Sequence, residues 1–311
     1  MAFFLALDVG GTKTDLVLAD DTHTLERVRT GTIKRLRVDD ATATANLESA
    51  LAELTARTGI AMHSITRTCV GTAGQSVPLV SDWLRASLSS RVAGELILLG
   101  DVEIALDAAF PGAPGVLVMA GTGSNVAGRT CHGELTTAGG WGPALSDQGS
   151  GHIIGQEALR AAFLARDEGR STLILDAVLE LWQLPSIDHL IEHANRQPAP
   201  DFSTLTEIVV NAAAQGDAVA AAVLKKEGES LGYLVRLVLR RLQQAAQPPA
   251  ALPALAFTGS IMEKVPPVRQ ALIDSVRSEF PELRTLDGVI DPIEGALWRA
   301  RTGSSNRIAL P

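Results

Sequence analysis

The chain has 311 residues, with 27 basic and 35 acidic side chains, a formal net charge of −8 and an apolar fraction of 46%. This composition excludes a disordered chain, a collagen and a coiled coil, and the acidic balance argues against a nucleic-acid partner. Two cysteines, Cys69 and Cys131, are too few for a disulfide framework or a thiolate metal cluster. No segment has the roughly 18–20 apolar residues of a membrane span. We therefore expect a cytoplasmic protein with no membrane partner.

The first third of the chain alternates short apolar runs with amphipathic stretches, which is typical of an α/β protein with a mixed sheet. Strands are predicted at Phe3–Val9, Lys13–Ala19, Leu25–Thr32, Ser64–Val70 and Glu95–Leu99. Helices are predicted at Ala41–Thr58, around Trp83–Leu88 and at Val102–Phe110.

A breaker cluster at Pro111–Pro114 is the best internal boundary, and the opening pattern recurs after it. The strand Gly115–Ala120, a turn of glycine and threonine, and the strand Asn125–Thr130 repeat the layout of residues 3–19, which suggests a duplicated core. The rest is mainly helical, with predicted helices at Gly149–Arg166, Ser171–Trp182, Ser186–Arg196, Ser203–Ala214, Asp217–Ala246 and Ile293–Thr302. A buried strand is predicted at Leu255–Thr258, a loop at Gln247–Pro253 and a loose tail at Gly303–Pro311.

The turn between the first two strands has the features of a phosphate-binding loop. Two adjacent glycines let the backbone approach a ligand closely, and free N–H groups at a turn form an anion-binding nest. Hydroxyl groups add donors, and a carboxylate at the strand end suits Mg²⁺ bound through water. The residues concerned are Asp8, Gly10, Gly11, Thr12, Lys13 and Thr14. A hairpin that merely needs glycine is the structural alternative.

A second turn repeats this chemistry with Gly121, Thr122, Gly123, Ser124 and Asn125. Two such hairpins can clamp a polyphosphate from both sides, although each alone is also explained as a simple turn. Neither a P-loop nor a dinucleotide-binding glycine motif occurs, which disfavours a nicotinamide dehydrogenase.

The stretch Gly139–Gly151 contains five glycines and one tryptophan, which is not the composition of a core element. Trp141 either offers an apolar face to a sugar ring or anchors the core. Asp147 either bonds sugar hydroxyls or caps the following helix. Gln148 is a candidate to reach a metal-bound water, and Gly149–Gly151 to open that helix towards an anion.

Asp101 stands directly between a predicted strand and a predicted helix. Two roles fit that position. It is either the N-cap of the helix, a common use of aspartate, or a general base at the ligand-binding edge of the sheet.

Together these motifs resemble the superfamily of sugar kinases, heat-shock chaperones and actin (ASKHA). They are most similar to the N-acetylglucosamine and glucosamine kinase branch of the BadF/BadG/BcrA/BcrD ATPase family. The resemblance covers nearly the whole chain and rests on DVGGTKTD at 8–15, GTGSN at 121–125, GGWGPALSDQGSG at 139–151, LAFTGSI at 255–261 and PIEGAL at 292–297.

The resemblance implies a duplicated fold of two RNase-H-like (actin-like ATPase) lobes with a helical C-terminal lobe. The lobes would be residues 1–113 and 114–291, and a helix within 292–311 would return to the first lobe. It further implies ATP and Mg²⁺ as cofactors, a homodimer, and transfer of the γ-phosphate to the 6-hydroxyl of an amino sugar, N-acetylglucosamine above all. Glucosamine and N-acetylmuramic acid are alternative substrates.

The resemblance also assigns roles to residues. Asp101 would be the catalytic base, and Asp8 and Gln148 would hold Mg²⁺ through water. Nucleotide contacts would come from both hairpins (Gly10 to Thr14 and Gly121 to Gly123) and, at the adenosine, from Gly259 and Ser260. Sugar contacts would come from Asp101, Ser124, Asn125, Gly140, Trp141, Gly142 and Asp147.

Two features leave alternatives open. The family usually has a sugar-binding asparagine after the third strand, whereas this chain has Lys34 and Arg35 there; these either face solvent or pair with a carboxylate on the substrate. The other branch of the family comprises ATPases that activate a dehydratase or reductase through an iron–sulfur cluster. That activity needs cysteine ligands in a setting that Cys69 and Cys131 do not have.

Overall fold

The computed structural model describes residues 1–245 and 252–303, which form two compact units. Unit 1 comprises Met1–Gly115, Cys131–Glu134 and the chain from Ile290 onward, and unit 2 comprises Val116–Thr130 and Leu135–Val289. Most of the predicted loop at Gln247–Pro253, the predicted tail after Gly303 and the last predicted residue of the long helix, Ala246, lie outside the described residues.

Unit 1 is built on a five-stranded sheet with the strands β1 (Phe3–Val9), β2 (Lys13–Ala19), β3 (Thr24–Gly31), β4 (Ile65–Thr72) and β5 (Glu95–Leu99). Their order is β3-β2-β1-β4-β5. β4 lies between β1 and β5 and is parallel to both, whereas β2 pairs antiparallel with β1 and with β3. The carboxyl ends of β1, β4 and β5 therefore share one edge of the sheet, and the β1–β2 turn lies at that edge.

Helices cover both faces of this sheet: α1 (Asp40–Thr58), α2 (Pro78–Ser89) and α3 (Asp101–Ala109). Because side chains alternate along a strand, β1 buries Leu5 and Leu7 on the face of α1 and α2, and Phe4 and Ala6 on the face of α3. A strand buried on both faces has to be apolar throughout, which is why the opening residues lack polar alternation.

Unit 2 has a second sheet, of the strands β6 (Gly115–Ala120), β7 (Ser124–Arg129), β8 (Leu135–Gly139) and β9 (Leu255–Thr258). Their order is β8-β7-β6-β9, with β9 parallel to β6 and β8 antiparallel to β7. The sequence pattern did not predict β8. It is an edge strand of mostly accessible residues, so it carries no apolar run.

The helices of unit 2 are α4 (Gly151–Asp167), α5 (Ile174–Leu181), α6 (Ile187–Asn195), α7 (Thr206–Ala214), α8 (Ala218–Ala245), α9 (Ser260–Lys264) and α10 (Pro266–Arg277). The 28-residue α8 runs through one large apolar core. Gly228 lets α8 and α10 approach closely, because a Cβ there would lie 2.4 Å from the carbonyl oxygen of Val268. The helix expected from Ser203 begins with a 3₁₀ turn at Phe202–Leu205.

The last helix, α11 (Pro292–Thr302), belongs to unit 1 and packs against α3. The two helices touch at Gly295, where a Cβ would lie 1.8 Å from the carbonyl oxygen of Ile104. One turn further, Arg299 Nε donates to the fully buried Asp107 carboxylate at 2.5 Å. This contact fixes the helix that carries Asp101 at its first residue.

Within the described ranges no single helix is long and apolar enough to cross a membrane. One helix pair, Phe202–Ala214 with Ala218–Ala245, meets that criterion when its two parts are taken together, and it is bent by 119°.

Candidate active site

The β1–β2 turn of unit 1 presents its backbone and polar side chains to solvent. Gly11, Thr12 and Lys13 are exposed, and the turn is closed by a hydrogen bond from the Gly10 N–H to the Lys13 carbonyl oxygen at 3.0 Å. Neither glycine has a positive φ, so the turn does not need glycine for its backbone angles. A Cβ on Gly11 would have Arg37 Nε as its nearest neighbour, at 3.6 Å. Glycine here keeps the surface of the turn free of side chains.

Thr14 differs from the prediction that it contacts a nucleotide. Its side chain is fully buried, and its hydroxyl accepts a hydrogen bond from the Ile33 N–H at 3.2 Å. Since β2 has already entered the core at this residue, Thr14 supports the loop after β3 and is not part of the exposed turn.

Two partly buried carboxylates, Asp8 and Asp101, belong to the shared strand edge. Asp8 is near the end of β1, and its pKa is raised from 3.8 to about 6, chiefly by burial and then by the negative charges of Asp101 and Asp15. Burial also raises the pKa of Asp101, against a hydrogen bond from the Val102 N–H at 2.9 Å and the charge of Lys34. A proton or a cation stabilises this arrangement.

Asp101 is not the N-cap of its helix, so the simpler of its two predicted roles is wrong. The N-cap is Gly100, and its N–H donates to the Glu103 carboxylate at 2.8 Å. The bond to the N-cap residue is therefore made by Glu103, and Asp101, the first helical residue, uses one carboxylate oxygen to accept from the Val102 N–H.

The loops around Asp101 bring in side chains that sequence patterns did not single out. Gln75 Nε2 lies 2.9 Å from the position of a Cβ on Gly100. Lys34 and Arg37 lie on the loop after β3; the charge of Lys34 acts on Asp101, and Arg37 lies beside Gly11. Arg35 instead pairs with Asp40, Nη1 to Oδ1, at 3.0 Å. The only signal for Gln75 and Arg37 is their proximity to Gly100 and Gly11, respectively, and it exists only in the folded chain.

The β6–β7 turn of unit 2 is tied to the start of α4. The carbonyl oxygens of Gly121 and Thr122 accept from the N–H groups of Gly151 and His152 at 2.8 and 3.3 Å. The next N–H of the helix, that of Ile153, donates to the hydroxyl of the N-cap Ser150 at 3.2 Å. The expectation that residues 149–151 open the helix towards an anion is therefore wrong, because these N–H groups already have partners.

Asp147 lies at the centre of the glycine-rich stretch. It is buried, its φ of 70° is unusual for a residue with a side chain, and its carboxylate accepts from the Gly142 N–H at 3.2 Å. A Cβ on Gly123 would lie 2.9 Å from Asp147 Oδ2, so this glycine leaves room for the carboxylate. Burial raises the pKa of Asp147. A strained backbone that aims a buried carboxylate is characteristic of a functional site.

Four further predicted sugar-binding residues, Ser124, Asn125, Gly140 and Trp141, lie at the start of β7 or in the same glycine-rich stretch. Asn125 packs against Gly140, where a Cβ would lie 2.9 Å from Asn125 Cγ, and the buried Oδ1 of Asn125 has no hydrogen-bond partner in the described residues. Ser124 Oγ donates to the Gln148 carbonyl oxygen at 2.7 Å. Trp141 is 73% exposed, which excludes the role of core anchor. The buried Asn125 oxygen is therefore available to accept a hydrogen bond from a ligand.

Ser146 orients the Gln148 side chain, because Gln148 Oε1 accepts a hydrogen bond from Ser146 Oγ at 2.9 Å. The next residue, Gly149, donates its N–H to the buried Glu227 carboxylate of α8 at 2.9 Å. The loop that carries Asp147 is thus held on both sides.

A cavity of about 570 Å³ lies inside unit 2, and its walls combine the β6–β7 turn with three helices. It contains the predicted residues Gly121, Thr122 and Ser260. Gly259 closes against the Ala120 backbone with φ 94°, where a Cβ would lie 2.3 Å from the Ala120 carbonyl oxygen. The remaining polar lining, which sequence reasoning missed, consists of Ser203, Thr204, Thr206, Glu207, Asn211 and Lys264. Most of these belong to α7 and the turn before it, where no motif marks them.

The residues present fit a nucleotide with its magnesium ion. The cavity has the volume of a small-molecule site, and the exposed turn of unit 1 has free hydroxyl and backbone groups. Within the described ranges no group of three or more His, Cys, Asp or Glu side chains is placed to hold a metal ion. Mg²⁺ is commonly bound by one or two carboxylates and completed by phosphate oxygens, and Asp8 with Asp101 matches that pattern.

The sequence profile of the BadF/BadG/BcrA/BcrD ATPase family matches residues 5–300. The chain belongs to this family. Among curated proteins it is 26% identical over 310 residues to the N-acetylmuramic acid/N-acetylglucosamine kinase of Clostridium acetobutylicum, a match that covers 97% of this chain and 99% of that protein. It is also 27% identical over 237 residues to the N-acetyl-D-glucosamine kinase of Dictyostelium discoideum, covering 73% of each protein.

Solved structures give the same result for the fold. A Chromobacterium violaceum protein, provisionally named an N-acetylglucosamine kinase, superposes with a TM-score of 0.72 at 25% identity, covering 96% of this chain and 98% of that one. A ROK-family glucokinase of Streptomyces griseus, solved with glucose and AMPPNP, superposes with a TM-score of 0.60 at 16% identity, covering 97% and 100%. The predicted fold class, an α/β protein of the actin-like ATPase type with mixed sheets and many helices, is confirmed.

Proposed function

We propose that this protein is an ATP-dependent kinase that transfers the γ-phosphoryl group to the 6-hydroxyl of an amino sugar, with N-acetylglucosamine as the first candidate. The observation that carries the proposal is the Asp101 carboxylate, which is partly buried, is not at the N-cap position and is adjacent to a phosphate-type turn. The two curated kinases support the substrate class, since one match covers almost the whole of both chains. In this proposal units 1 and 2 are the two lobes expected from the sequence.

Asp101 would act as the general base. Its desolvated carboxylate is a stronger base than an exposed one, and it accepts the proton of the sugar hydroxyl as that oxygen attacks phosphorus. The helix α3 holds the carboxylate, while α11 holds α3 through Gly295 and Arg299. Proton acceptance at a fixed point needs this rigidity, because small displacements of a catalytic group are costly to the rate.

Each unit by itself offers candidate nucleotide contacts. The cavity of unit 2 would take the adenosine against Ser260 and Asn211, while the exposed turn at Gly11 and Thr12 would bind phosphate oxygens. When bound, Mg²⁺ supplies positive charge to the triphosphate, and Asp8 is the carboxylate placed to hold it. In unit 2, Gln148 would be the side chain that contacts Mg²⁺ through water.

The sugar contacts would come from the glycine-rich stretch. Asp147 and Asn125 offer acceptor oxygens to sugar hydroxyls, and the main chain at Gly140 and Gly142 allows the ring to approach closely. The exposed Trp141 offers an apolar face to the ring or to an N-acetyl methyl group.

A coupled ADP-release assay tests the activity. We would compare N-acetylglucosamine, glucosamine, N-acetylmuramic acid and glucose, with 6-deoxy-N-acetylglucosamine as the control that lacks the acceptor hydroxyl. Sugar-dependent ADP release that disappears with the 6-deoxy sugar supports the proposal, and no release with any amino sugar contradicts it. If the purified protein is colourless and contains no iron, the alternative activity, an ATPase that activates a dehydratase or reductase through an iron–sulfur cluster, is excluded. The burial of Cys69 in the core of unit 1 is consistent with that outcome.

The substitution Asp101→Asn tests the base. Asparagine keeps the shape of the side chain but lacks a basic carboxylate, so we expect kcat to fall by at least about 100-fold while the protein still folds and binds both substrates. Steady-state kinetics with calorimetric binding measures this. A kcat within about threefold of the wild type would contradict the assignment, since loss of a general base costs about 10²- to 10⁴-fold.

A further inference from the structure

The loop after β3 carries two basic side chains, Lys34 and Arg37, here called the basic pair. The loop is fixed to the β1–β2 turn: Thr32 Oγ1 donates to the Gly10 carbonyl oxygen at 2.7 Å, and the Ile33 N–H donates to Thr14 Oγ1 at 3.2 Å. The Arg37 N–H donates to the Lys34 carbonyl oxygen at 2.8 Å, so a tight turn brings the two residues together. Their positions relative to the β1–β2 turn are therefore set by the fold.

Each member of the basic pair faces a different part of the candidate site. Arg37 Nε lies 3.6 Å from the position of a Cβ on Gly11, beside the exposed phosphate-type turn. The half-buried Lys34 lies close enough to Asp101 for the two opposite charges to act on each other. The basic pair thus extends from the proposed phosphate turn to the proposed base.

Within the described part of the chain neither the Lys34 ammonium nor the Arg37 guanidinium forms a hydrogen bond or an ion pair, although the charge of Asp101 acts on Lys34. Burial lowers the pKa of Lys34, against the charge of Asp101, which raises it, and the like charge of Arg37 lowers it further. The two positive charges repel each other, and an anion bound by both would relieve that repulsion. Arg35, which lies between them in the sequence, differs from both because it forms an ion pair with Asp40. Its side chain is only 16% exposed.

We infer that Lys34 and Arg37 hold the phosphoryl group while it passes from the nucleotide to the sugar. This inference rests on the proposed kinase function. In that step the sugar oxygen forms a bond to the γ-phosphorus, the bond from that phosphorus to the β–γ bridging oxygen breaks, the hydroxyl proton goes to Asp101, and ADP leaves. Negative charge is spread over the phosphoryl oxygens during transfer, and preorganised cations stabilise it.

The kinetic test uses Arg37→Gln and Lys34→Met. Removing one preorganised group that stabilises the transition state costs on the order of 10²–10³ in kcat, so each variant should lose about that much while the KM for N-acetylglucosamine stays within about threefold. Arg37→Lys, which keeps the charge but not the forked geometry, should recover part of the loss. Arg85→Gln on the exposed side of α2 removes the same charge elsewhere and should behave as the wild type.

A labelling experiment tests the contact without relying on turnover. Phenylglyoxal modifies accessible guanidinium groups. Peptide mass spectrometry measures the extent of modification at Arg37, with Arg85 as the internal control. With Mg²⁺ and N-acetylglucosamine present, AMPPNP should protect Arg37 several-fold, whereas ADP, which lacks the terminal phosphoryl group, should not. Equal protection by both nucleotides, or by neither, would overturn the inference.

Kinetics with different sugars distinguish this inference from the alternative role of the basic pair, which is to bind a carboxylate on the sugar. They also distinguish it from failure of the proposed kinase function. If the variants affect only N-acetylmuramic acid, through its KM, the basic pair binds the carboxylate of that sugar and the inference is wrong. If the wild-type protein phosphorylates no amino sugar, the proposed function fails, while the labelling experiment still reports whether Arg37 contacts the terminal phosphoryl group.

Discussion

Individual residues of the candidate site adopt a charge state or a backbone conformation that lowers the stability of the folded protein. Asp8 is buried beside Asp101 and Asp15, and its pKa is about 6, compared with an ordinary value of 3.8. Asp147 keeps a φ of 70° to aim its carboxylate. Such strain is typical of residues kept for a ligand, because the folded chain alone would be more stable without it.

The substitution Asp8→Asn should stabilise the nucleotide-free protein and abolish its use of ATP. The folded protein binds the Asp8 proton more tightly than the unfolded chain does, so stability is lost as pH rises from about 4 to about 6 and stays lower above that. Asparagine has no proton to lose, so at pH 8 without Mg²⁺ the variant should gain on the order of 2 kcal/mol. Urea unfolding at pH 8 and pH 4 measures this gain, which should shrink at pH 4. An equal difference at both pH values would show that the charge is not the cause.

The two turn glycines should affect different kinetic constants. Gly123→Ala places a methyl group 2.9 Å from Asp147 Oδ2, so the carboxylate has to move and the KM for the sugar should rise about tenfold or more. Gly11→Ala meets only Arg37 at 3.6 Å, so it should leave the melting temperature unchanged while nucleotide affinity falls. Kinetics with the sugar and ATP varied separately distinguishes the two. A raised sugar KM in Gly11→Ala would contradict the division of roles.

At the scale of elements, the crossing of α3 and α11 determines where Asp101 lies. Backbone contact at Gly295 and the buried Arg299–Asp107 pair join the two helices, although they are far apart in the sequence. Since Asp101 is the first residue of α3, a shift of this helix moves the carboxylate directly.

The substitution Gly295→Ala should therefore lower both stability and rate. Its methyl group would lie 1.8 Å from the Ile104 carbonyl oxygen, so the helices have to separate. We expect at least about 2 kcal/mol of destabilisation, as for other overpacked sites, together with a reduced kcat. Denaturant unfolding and kinetics are the measurements, and Glu294→Ala, at an exposed position of the same helix, is the matched control. A normal kcat in a folded Gly295→Ala protein would show that α3 tolerates the displacement.

At the scale of the whole molecule, each unit has its own apolar core and its own part of the candidate chemistry. Unit 1 contains both faces of the first sheet with Asp8 and Asp101, and unit 2 contains the large core around α8 with the cavity and Asp147. A ligand that contacts one unit should therefore stabilise that unit first.

Adenosine, which lacks phosphates, tests this. Hydrogen exchange with adenosine should show protection at residues 203–211 and 260–265, which line the cavity, and none at residues 8–14. ATP with Mg²⁺ should add protection at residues 8–14. If adenosine protects the β1–β2 turn but not the cavity, the cavity is not the nucleoside site.

Much of the fold was readable from the sequence, because its signals are local. The strands β1, β2, β5, β6 and β9 begin and end at the predicted residues, since a strand buried on both faces is a continuous apolar run bounded by glycine or polar residues. The glycine-rich turns were found for the same reason. Backbone that approaches a ligand has to lack side chains, and this leaves a mark in the sequence.

The tertiary structure decided what depends on distant residues. β8 is polar and becomes a strand only by pairing with β7, and the cavity is lined by α7, which carries no motif. The neighbours Lys34 and Arg35 look alike in the sequence, yet the first faces Asp101 and the second is paired with Asp40. For Asp101 the sequence left two roles open, cap and base, and its position alone favoured the cap; the bond from the Gly100 N–H to Glu103 decided against it. Composition and spacing in the sequence identified the candidate residues. Their charge and burial depend on which segments meet in space. Only the contacts in the folded chain therefore separated the residues that support the site from those free to act on a substrate.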